Sequence, residues 1–505
     1  MRLTRSMDDF VDAEMYDQMI NWDSRLAREL PVIAEFLPSG RILDVACSSG
    51  RHSFGLVEKG FQTLGVDISE HFIEFAKDLA TELDKTEQTE FIAIDAAGED
   101  IRQRLAGQYF DGAILLGNAI ANMGSFTKGQ QLIRNIFTLL RPGAGFFVQT
   151  VNKPLKPWYN PLRQKDGVII QRIMIPETDR EADHNIVLHV NQIDAEKLEY
   201  VKQKADNEFF MYRKDEFESL LHGVGFEVEQ VYSSYSKKDV KDIDGETLIW
   251  MLRKPEIELK EAGIALFDSY AGFDREEIIK RTLAIWQKLM SEKWYHCLRG
   301  YRFLYPRITA HPKYQQIIQQ RKSEPILDVA CNTGTDLRQL YIDGATDLMG
   351  VDQVDTFIDA GYDLFGDRGE CPIDFVVADL LSDDFLQIEQ GEVIGGKFAK
   401  YVGHFSVIHA GSLLHLLTED EVTTIVERMK YLLKDGGIFF GRTVGSTTAG
   451  EHEGGLRYLH DVASLTSVFN LVGYSSVEVD FMPRDGPIGE RTTNTTTQLS
   501  FYATK

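Results

Sequence analysis

The sequence predicts two α/β domains of the same kind, each built on a doubly wound, mostly parallel sheet. The chain has 505 residues, which is more than one hydrophobic core normally organises. The segment 44-DVACSSG-50 returns far downstream as 328-DVACNTG-334. Around each copy, short apolar runs of strand length alternate with helical patterns, as in parallel sheets joined by helices. We expect an N-terminal domain over residues 1–255 and a C-terminal domain over residues 256–505.

The repeat continues beyond these two segments, in the same order and at nearly constant spacing. The acidic residues of the first copy and their counterparts in the second are Asp44 and Asp328, Asp67 and Asp352, Asp95 and Asp379. Further on, 139-LLRPGAGFFVQT-150 corresponds to 432-LLKDGGIFFGRT-443. The additional residues of the second copy fall in 387–405, which we expect to be a loop insertion. Four ordered landmarks indicate a tandem duplication of one fold.

The first copy alternates strands and helices. The apolar runs predict strands at 41–46, 62–67, 90–95, 110–117 and 145–151, helices at 51–60 and 69–83, and closing strands at 226–235 and 246–254. Segments 167–177, 185–194 and 197–204 alternate apolar and polar residues, which predicts half-buried antiparallel strands. We interpret this insertion, about residues 153–210, as a lid sheet over a pocket; a purely structural hairpin is the alternative.

The second copy differs in its additions. It begins with a long helical lead-in, 276–306 within about residues 264–322, and it lacks the strand insertion. Its closing strands are expected at 475–481 and 497–504. The domain boundary falls near 254-KPEIELKEAG-263, which is charged and contains a proline.

Composition limits the possible partners. The net charge of −24, without any block of Lys and Arg, disfavours nucleic acid and favours a small-molecule partner. The longest apolar runs are of strand length, and the first residues lack the apolar core of a signal peptide, which predicts a cytoplasmic protein without membrane spans. Four cysteines without a C-x-x-C pair predict neither disulfides nor a metal site. The oligomeric state is left open.

The repeated segment has the chemistry of a nucleoside site. A small-residue turn between a strand and a helix lets the backbone approach a ligand closely. Asp67 and Asp352 end the second strands and suit ribose hydroxyls, whereas Asp95 and Asp379 follow the third strands and can accept from an adenine amine. Neither copy contains the G-x-G-x-x-G of nicotinamide sites. The candidate binding residues are Asp44, Ala46, Ser48, Gly50, Asp67, Ile68, Asp95 and Ala96 in the first copy, and Asp328, Ala330, Asn332, Gly334, Asp352, Gln353, Asp379 and Leu380 in the second.

This combination resembles the class I S-adenosylmethionine-dependent methyltransferases over most of both copies. The first motif of that family usually reads (D/E)-x-G-x-G-x-G. Here Ala46 and Ala330 replace the first glycine, and Ser48 and Asn332 replace the second. The resemblance implies Rossmann-like domains with seven-stranded sheets. It also implies one S-adenosyl-L-methionine per domain, with S-adenosyl-L-homocysteine as product.

The two copies resemble different branches. The segments 360-AGYDLFGDR-368, 406-SVIHAGSLLHLL-417 and 439-FFGRTVGSTTAGE-451 resemble fungal meroterpenoid-type carboxyl O-methyltransferases, over about residues 280–480. In the first copy, 16-YDQMINWDSRLARE-29 and 115-LLGNAIANM-123 are similar to small-molecule N-methyltransferases of the glycine/sarcosine kind. The resemblance implies a bifunctional enzyme that methylates N or O atoms of small metabolites. The alternative is that only one domain is catalytic and the other is a binding or regulatory scaffold.

Residues at the ends of strands four and five are candidates for the chemistry. His409 could be a base or substrate contact, Arg442 could bind a substrate carboxylate, and Asn118 could orient an amine or carboxylate. For each, packing, a solvated surface position or turn capping is the alternative. The candidate substrate-binding residues are Tyr16, Trp22, Asn122, Trp294 and Tyr295. Core packing is the alternative for the aromatic residues, and His52 and His415 are expected to be structural.

Overall fold

The computed structural model describes residues 13–152, 158–159, 163–165, 168–176, 185–194, 200–238, 247–452, 457–482 and 496–505. The contacts between residues divide the chain into two units, Met1–Glu256 and Ile257–Lys505. In the described part of the chain, no helix is both long and apolar enough to cross a membrane.

The first unit contains a seven-stranded sheet and a smaller antiparallel sheet. Its helices are α1 (Ala13–Met19), α2 (Trp22–Phe36), α3 (Arg51–Val57), α4 (Glu70–Glu82), α5 (Asp100–Arg104), α6 (Phe126–Leu139) and α7 (Lys214–Val224), with a 3-10 turn at Ala119–Met123. Its strands are β1 (Arg41–Val45), β2 (Gln62–Asp67), β3 (Thr89–Ala93), β4 (Phe110–Leu115), β5 (Leu140–Val151), β6 (Trp158–Tyr159), β7 (Arg163–Lys165), β8 (Val168–Pro176), β9 (Asn185–Asp194), β10 (Tyr200–Phe210), β11 (Glu227–Tyr232) and β12 (Thr247–Arg253).

The large sheet has the order β11-β12-β5-β4-β1-β2-β3. Strands β1 to β5 pair in parallel, and β12 and β11 close the sheet in the antiparallel direction. Parallel pairing suits these residues because the central strands are apolar on both faces, and Leu43, Val66 and Ile114 are fully buried. The strand order reverses between β1 and β4, which places a crevice at the carboxyl ends of these strands. The predicted fold class is confirmed.

The antiparallel sheet has the order β10-β9-β8-β6, and β7 pairs with β8. Strands were predicted in this insertion at 167–177, 185–194 and 197–204. The first two agree with β8 and β9, whereas β10 begins at Tyr200 and continues to Phe210. Residues 153–157, 160–162, 166–167, 177–184 and 195–199 of the insertion lie outside the described residues. The function of this sheet as a lid stays a prediction.

The second unit repeats the large sheet in the order β15-β14-β13-β18-β19-β23-β22. Its helices are α8 (Glu261–Ala271), α9 (Arg275–Glu292), α10 (His296–Arg299), α11 (Tyr314–Arg321), α12 (Thr335–Ile342), α13 (Asp355–Phe365), α14 (Glu419–Leu432) and α15 (Val462–Val472). Its strands are β13 (Ile326–Val329), β14 (Leu348–Asp352), β15 (Asp374–Val377), β16 (Gln387–Glu389), β17 (Glu392–Gly395), β18 (Phe405–Gly411), β19 (Leu433–Ser446), β20 (Gly450–His452), β21 (Arg457–Leu459), β22 (Ser476–Met482) and β23 (Thr496–Thr504). Short 3-10 turns occur at Arg302–Leu304, Ile308–Ala310, Ala399–Tyr401 and Leu414–Leu416.

The predicted helical lead-in is divided into several helices, and segment 276–306 contains most of α9, all of α10 and a 3-10 turn. Helix α9 ends at Glu292, Lys293 is extended, and the chain folds back over the helix. Trp286 on α9 explains the reversal: its indole N–H donates to the Leu298 carbonyl at 3.1 Å, and its ring packs 5.5 Å from that of Tyr301. The returning segment thereby buries a tryptophan that a straight helix would leave partly exposed.

One prediction for the second unit needs correction. Segment 387–405, expected to be a loop, contains the hairpin β16–β17 and a 3-10 turn, anchored by the buried rings of Phe385 and Phe398 at 4.4 Å. Between the fifth and closing strands, where the first unit carries its antiparallel insertion, the described residues of the second unit form only the short hairpin β20–β21.

Candidate functional site

The turn after the first strand has the same backbone geometry in both units. In the first unit, φ is 56° at Ala46, 52° at Ser48 and 74° at Gly50. In the second unit it is 55° at Ala330, 53° at Asn332 and 69° at Gly334. Alternation of left-handed residues with others turns successive backbone N–H groups inward, the geometry of an anion-binding concavity. Alanine, serine and asparagine thus adopt the left-handed backbone conformation that glycine adopts most easily. Each of these residues therefore carries some backbone strain.

Of the three left-handed positions in each turn, the last one, which is glycine, has no room for a side chain. A Cβ on Gly50 would lie 2.7 Å from the Phe91 ring, and a Cβ on Gly334 would lie 2.6 Å from the Phe375 ring. The phenylalanine on the third strand therefore fixes the glycine, and the two units share this contact.

The acid at the end of the second strand connects two turns. In the first unit, Oδ2 of Asp67 accepts from the Ser48 N–H at 2.9 Å and Oδ1 accepts from the Ser69 N–H at 3.0 Å. The Asp352 carboxylate does the same in the second unit, from Asn332 at 2.8 Å and Val354 at 3.0 Å. Burial raises the pKa of Asp352. Ile68 and Gln353, the next residues along the chain, are exposed beside these acids.

The acid after the third strand is accessible. Oδ1 of Asp95 accepts from the Ala97 N–H at 2.9 Å, and Oδ1 of Asp379 accepts from the Leu381 N–H at 3.0 Å. Asp95 and its neighbour Ala96 are half-buried; Asp379 is exposed, and Leu380 is buried. A carboxylate oxygen remains on each acid for a ligand.

The first acid of each copy is buried and has a partner within the protein. Asp44 accepts from the Ser53 hydroxyl at 2.7 Å, and burial raises its pKa to about 6. Oδ1 of Asp328 lies 2.8 Å from Nδ1 of His409. The expectation of direct ligand contact therefore needs correction, because both carboxylates hold the turn from inside the protein.

Neither His409 nor Arg442 has the exposure that a substrate contact requires, since each side chain is 1% exposed. His409 pairs in register with Asp328 across β18 and β13, and Arg442 lies on β19 between β18 and β23. Central strands covered on both faces leave these side chains inside the sheet layers. Their predicted contact with a substrate is corrected accordingly.

Asn118 also has a structural role. It adopts φ 60° after β4; its Oδ1 accepts from the Val151 N–H at 3.1 Å, and its Nδ2 lies 3.4 Å from the Met211 sulfur. Both ends of the amide are therefore engaged within the protein, in contrast to the predicted catalytic role. Asn122 is exposed on the following 3-10 turn, as a substrate contact requires.

Helices α1 and α2 are attached to the core beside the first turn. The Tyr16 ring meets Phe72 edge-on at 5.5 Å, and the Trp22 ring meets His52 at 5.7 Å. His52 lies 2.8 Å from the buried Glu29 carboxylate. Burial alone would raise the pKa of Glu29, but the hydrogen bond from His52 and the charge of Arg25 lower it to about 2. Tyr16 and Trp22 thus close this segment onto the unit.

In the second unit, Tyr295 reaches the strand-two acid. Burial, followed by the negative charge of Asp352, raises the pKa of Tyr295, and its ring lies 6.4 Å from that of Phe357. Trp294, beside it, is half-buried. The chain reversal after α9 therefore brings Tyr295 close enough to Asp352 for the charge of this acid to affect it.

Arg307 is a candidate that the sequence did not reveal. Its backbone N–H donates to Oδ1 of Asp336 at 2.6 Å, while its half-buried guanidinium makes no hydrogen bond or ion pair with any residue that the structure describes. Burial, with the charges of Arg457 and Arg307, lowers the pKa of His415 to about 3. The charges of Arg307 and Arg457 therefore act on His415, which lies on the 3-10 turn after β18. No local pattern in 305-YPRIT-309 distinguishes this arginine.

Comparisons with known proteins lead to one enzyme class. Residues 38–186 match a family model described as a methyltransferase domain. The chain is 26% identical over 219 residues to O-methyltransferase atr3 of Stereocaulon alpinum, covering 41% of this chain and 60% of that protein. It is 28% identical over 231 residues to asnovolin E/chermesin D methyltransferase nvfJ of Aspergillus novofumigatus, covering 44% of this chain and 78% of that protein. These relatives match the C-terminal part of the chain.

Solved structures resemble about half of the chain. The CcbJ methyltransferase of Streptomyces caelestis is 15% identical, covers 48% of this chain and 96% of its own, and gives a TM-score of 0.42. The chain spans 60% of the length of the Stereocaulon protein. The family model and the relatives are all described as methyltransferases.

Proposed function

We propose that the chain is a bifunctional methyltransferase that transfers methyl groups from S-adenosylmethionine to small-molecule metabolites, with one cofactor per unit. The observation that carries this proposal is a hydrogen bond that occurs in both units. It joins the aspartate at the end of the second strand to a residue of the left-handed turn. Asp67 and Ser48 in the first unit, and Asp352 and Asn332 in the second, form it with the same atoms. Two sites of equal construction favour two bound nucleosides.

The residues present fit the cofactor. Asp67 and Asp352 hold the turn through backbone N–H groups, and a carboxylate oxygen can accept more than one hydrogen bond, so each acid can also accept from a ribose hydroxyl. Asp95 and Asp379 can accept from the adenine amine. The small-residue turn leaves space for the amino-acid tail, because Ala46 and Ala330 carry only a methyl group.

Methyl transfer needs no redox partner. The acceptor's electron pair forms the new bond to the methyl carbon, and the electrons of the broken carbon–sulfur bond stay on sulfur, which gives S-adenosylhomocysteine. The protein supplies orientation and excludes water. In the first unit α1 and α2 enclose the turn, and in the second unit Tyr295 covers the ribose acid.

The acceptor atoms are proposed to differ between the units. A carboxylate is the proposed acceptor of the second unit, because it needs no base and the unpaired guanidinium of Arg307 suits an anion. His415, uncharged at neutral pH, lies beside it. An amine is proposed for the first unit, from its resemblance to small-molecule N-methyltransferases. Its fourth strand ends in Leu116-Gly117-Asn118, which supplies no base, so the amine would enter unprotonated.

Calorimetric titration of S-adenosylhomocysteine into the full chain tests this proposal. We expect two sites per chain in the wild type, one in Asp67→Ala, one in Asp352→Ala and none in the double variant. Asp78→Ala, an exposed carboxylate on α4, is the matched control and should keep both sites. A wild type with one site, lost in only one variant, would establish the alternative in which the other unit is a scaffold. A wild type without any site would refute the proposal.

A further inference from the structure

In both units, one side chain from the helix after the fourth strand holds the loop after the third strand. Nδ2 of Asn135 donates to the carbonyls of Ala96 and Gly98, both at 2.8 Å. Nη1 of Arg428 donates to the carbonyls of Leu380 at 2.6 Å and Ser382 at 2.7 Å. Each donor thus holds the first and third residues after the accessible acid.

The two donors occupy the same place in the fold. Helices α6 and α14 both have 14 residues, and Asn135 and Arg428 lie at the same position within them. An amide and a guanidinium differ in size and charge, yet both reach the same pair of carbonyls. The shared feature is therefore the fixed loop, and the chemistry of the donor is secondary.

The fixed loop determines where the accessible acid points. Asp95 and Asp379 each use Oδ1 to accept an N–H within the loop, and no described residue donates to their Oδ2. The loop itself turns back on the acid, with the Gly98 N–H donating to the Asp95 carbonyl at 3.0 Å. Because Asn135 holds the two carbonyls that follow the acid, it restricts the backbone that carries the Asp95 carboxylate.

We propose that Asn135 and Arg428 are positioning residues that set the preference of the two nucleoside sites for adenine. The proposal rests on the proposed function, since it requires a nucleoside cofactor in each unit. Neither side chain touches the ligand: Asn135 is 0% and Arg428 5% exposed. They act through the loop, which aims a carboxylate at the exocyclic amine of adenine.

The two units hold the donor differently. Nε2 of Gln131 donates to Oδ1 of Asn135 at 2.8 Å and thereby orients its amide toward the loop. Arg428 needs no such support; its Nη2 also pairs with Asp383 at 3.2 Å, a carboxylate that is 79% exposed and contributes little. Loss of Arg428 therefore acts mainly through the two carbonyls.

Ligand selectivity distinguishes positioning from general stabilisation. The probes are S-adenosylhomocysteine and S-inosylhomocysteine, in which a carbonyl oxygen replaces the exocyclic amine and repels a carboxylate. Binding is measured on the full chain, in the Asp352→Ala background for the first unit and the Asp67→Ala background for the second. We expect the wild-type sites to prefer the adenine ligand. Asn135→Leu and Arg428→Met should reduce that preference about tenfold, mainly by weakening the adenine ligand.

Matched variants keep the test decisive. Arg428→Lys retains a donor for the two carbonyls and should retain most of the preference. Thr138→Val on α6 and Lys430→Met on α14, whose ammonium donates to the Val472 carbonyl instead, should leave the preference unchanged. If Asn135→Leu does not fold, Gln131→Leu, which removes only the orienting hydrogen bond, should give a smaller shift in the same direction.

Two results would overturn the inference. Folded variants with the wild-type ratio of affinities would show that the loop does not depend on these donors. An equal loss of affinity for both ligands would assign them a purely structural role. Both results leave adenine-ligand binding by the wild type intact, whereas failure of the proposed function would abolish binding in the wild type itself.

Discussion

Nδ1 of His409 lies 2.8 Å from Oδ1 of Asp328, and both side chains are buried between neighbouring parallel strands. Burial alone would lower the pKa of His409, but the charge and hydrogen bond of Asp328 outweigh it, and the pKa is raised. In the first unit the corresponding acid, Asp44, accepts from the Ser53 hydroxyl at 2.7 Å and from the backbone of the same residue. The same structural position is therefore held by a histidine in direct contact in one unit and by hydrogen bonds from a serine in the other.

Removing His409 should destabilise the protein more than removing Ser53. His409→Phe leaves the Asp328 carboxylate buried without its partner, which we expect to cost about 3–5 kcal/mol in the free energy of unfolding. Ser53→Ala removes one hydrogen bond from a buried acid and should cost about 1–3 kcal/mol. Urea denaturation of the full chain measures both values. Equal losses would contradict the ion pair.

The same pair should make stability depend on pH. The pKa of His409 in the folded protein lies above its ordinary value of 6.5, so the folded state binds this proton more tightly than the unfolded state. The stabilisation is complete below the unfolded pKa and is lost as the pH rises through the folded pKa. The unfolding free energy of the wild type relative to that of His409→Phe should therefore fall as the pH rises from 6. A relative value that does not change with pH would exclude His409 as a source of the pH dependence.

The left-handed turn should respond oppositely to substitutions at its first and last left-handed residues, Ala330 and Gly334. Ala330 carries left-handed strain at φ 55°, about 1–2 kcal/mol for an L-residue, so Ala330→Gly should stabilise slightly after the entropy of glycine is subtracted. In Gly334→Ala the new methyl would meet the Phe375 ring at 2.6 Å, so we expect a loss of about 2 kcal/mol or more. Thermal unfolding of both variants checks the opposite signs. Destabilisation by Ala330→Gly would show that the strain is absent.

The sequence revealed those features that are local in the chain. The parallel strands follow from apolar runs, and the turn with its acids follows from the repeated segment, which is why Asp67 and Asp352 lie where they were expected. The pairing of His409 with Asp328 joins residues 81 positions apart, and no local pattern encodes it. The end of α9 depends likewise on Trp286, whose burial requires the later segment to fold back.

A lysine follows the last strand of each unit, and the buried Lys254 should give the opposite pH dependence. Nζ of Lys254 donates to the carbonyls of Phe137 at 2.9 Å and Leu140 at 2.7 Å, and Nζ of Lys505 donates to that of Leu433 at 2.6 Å. Burial lowers the pKa of Lys254 well below its ordinary 10.5. Between these two pKa values the unfolded state binds more protons, so stability rises with pH. Lys254→Met should flatten this rise, whereas Lys505→Met, at a half-buried site, should change it less. Unfolding free energies between pH 7 and 10 provide the comparison.

Arg307 should matter for the acceptor and leave the cofactor site unaffected. Its guanidinium makes no hydrogen bond or ion pair with the described residues, and together with Arg457 it helps to keep His415 uncharged. A half-buried cation without a counterion is costly unless an anion enters the site, so a carboxylate acceptor would supply the missing partner. We expect Arg307→Met to lower transfer of labelled methyl groups to carboxylic acids at least about tenfold, the loss of a charge-assisted contact of about 1.5–3 kcal/mol. The affinity for S-adenosylhomocysteine should not change.

Arg368→Met, an exposed arginine paired with Asp359 and Asp363, is the control for the loss of one positive charge. Undiminished transfer in Arg307→Met would exclude Arg307 from acceptor binding, because methionine cannot replace the charge-assisted hydrogen bonds of the guanidinium.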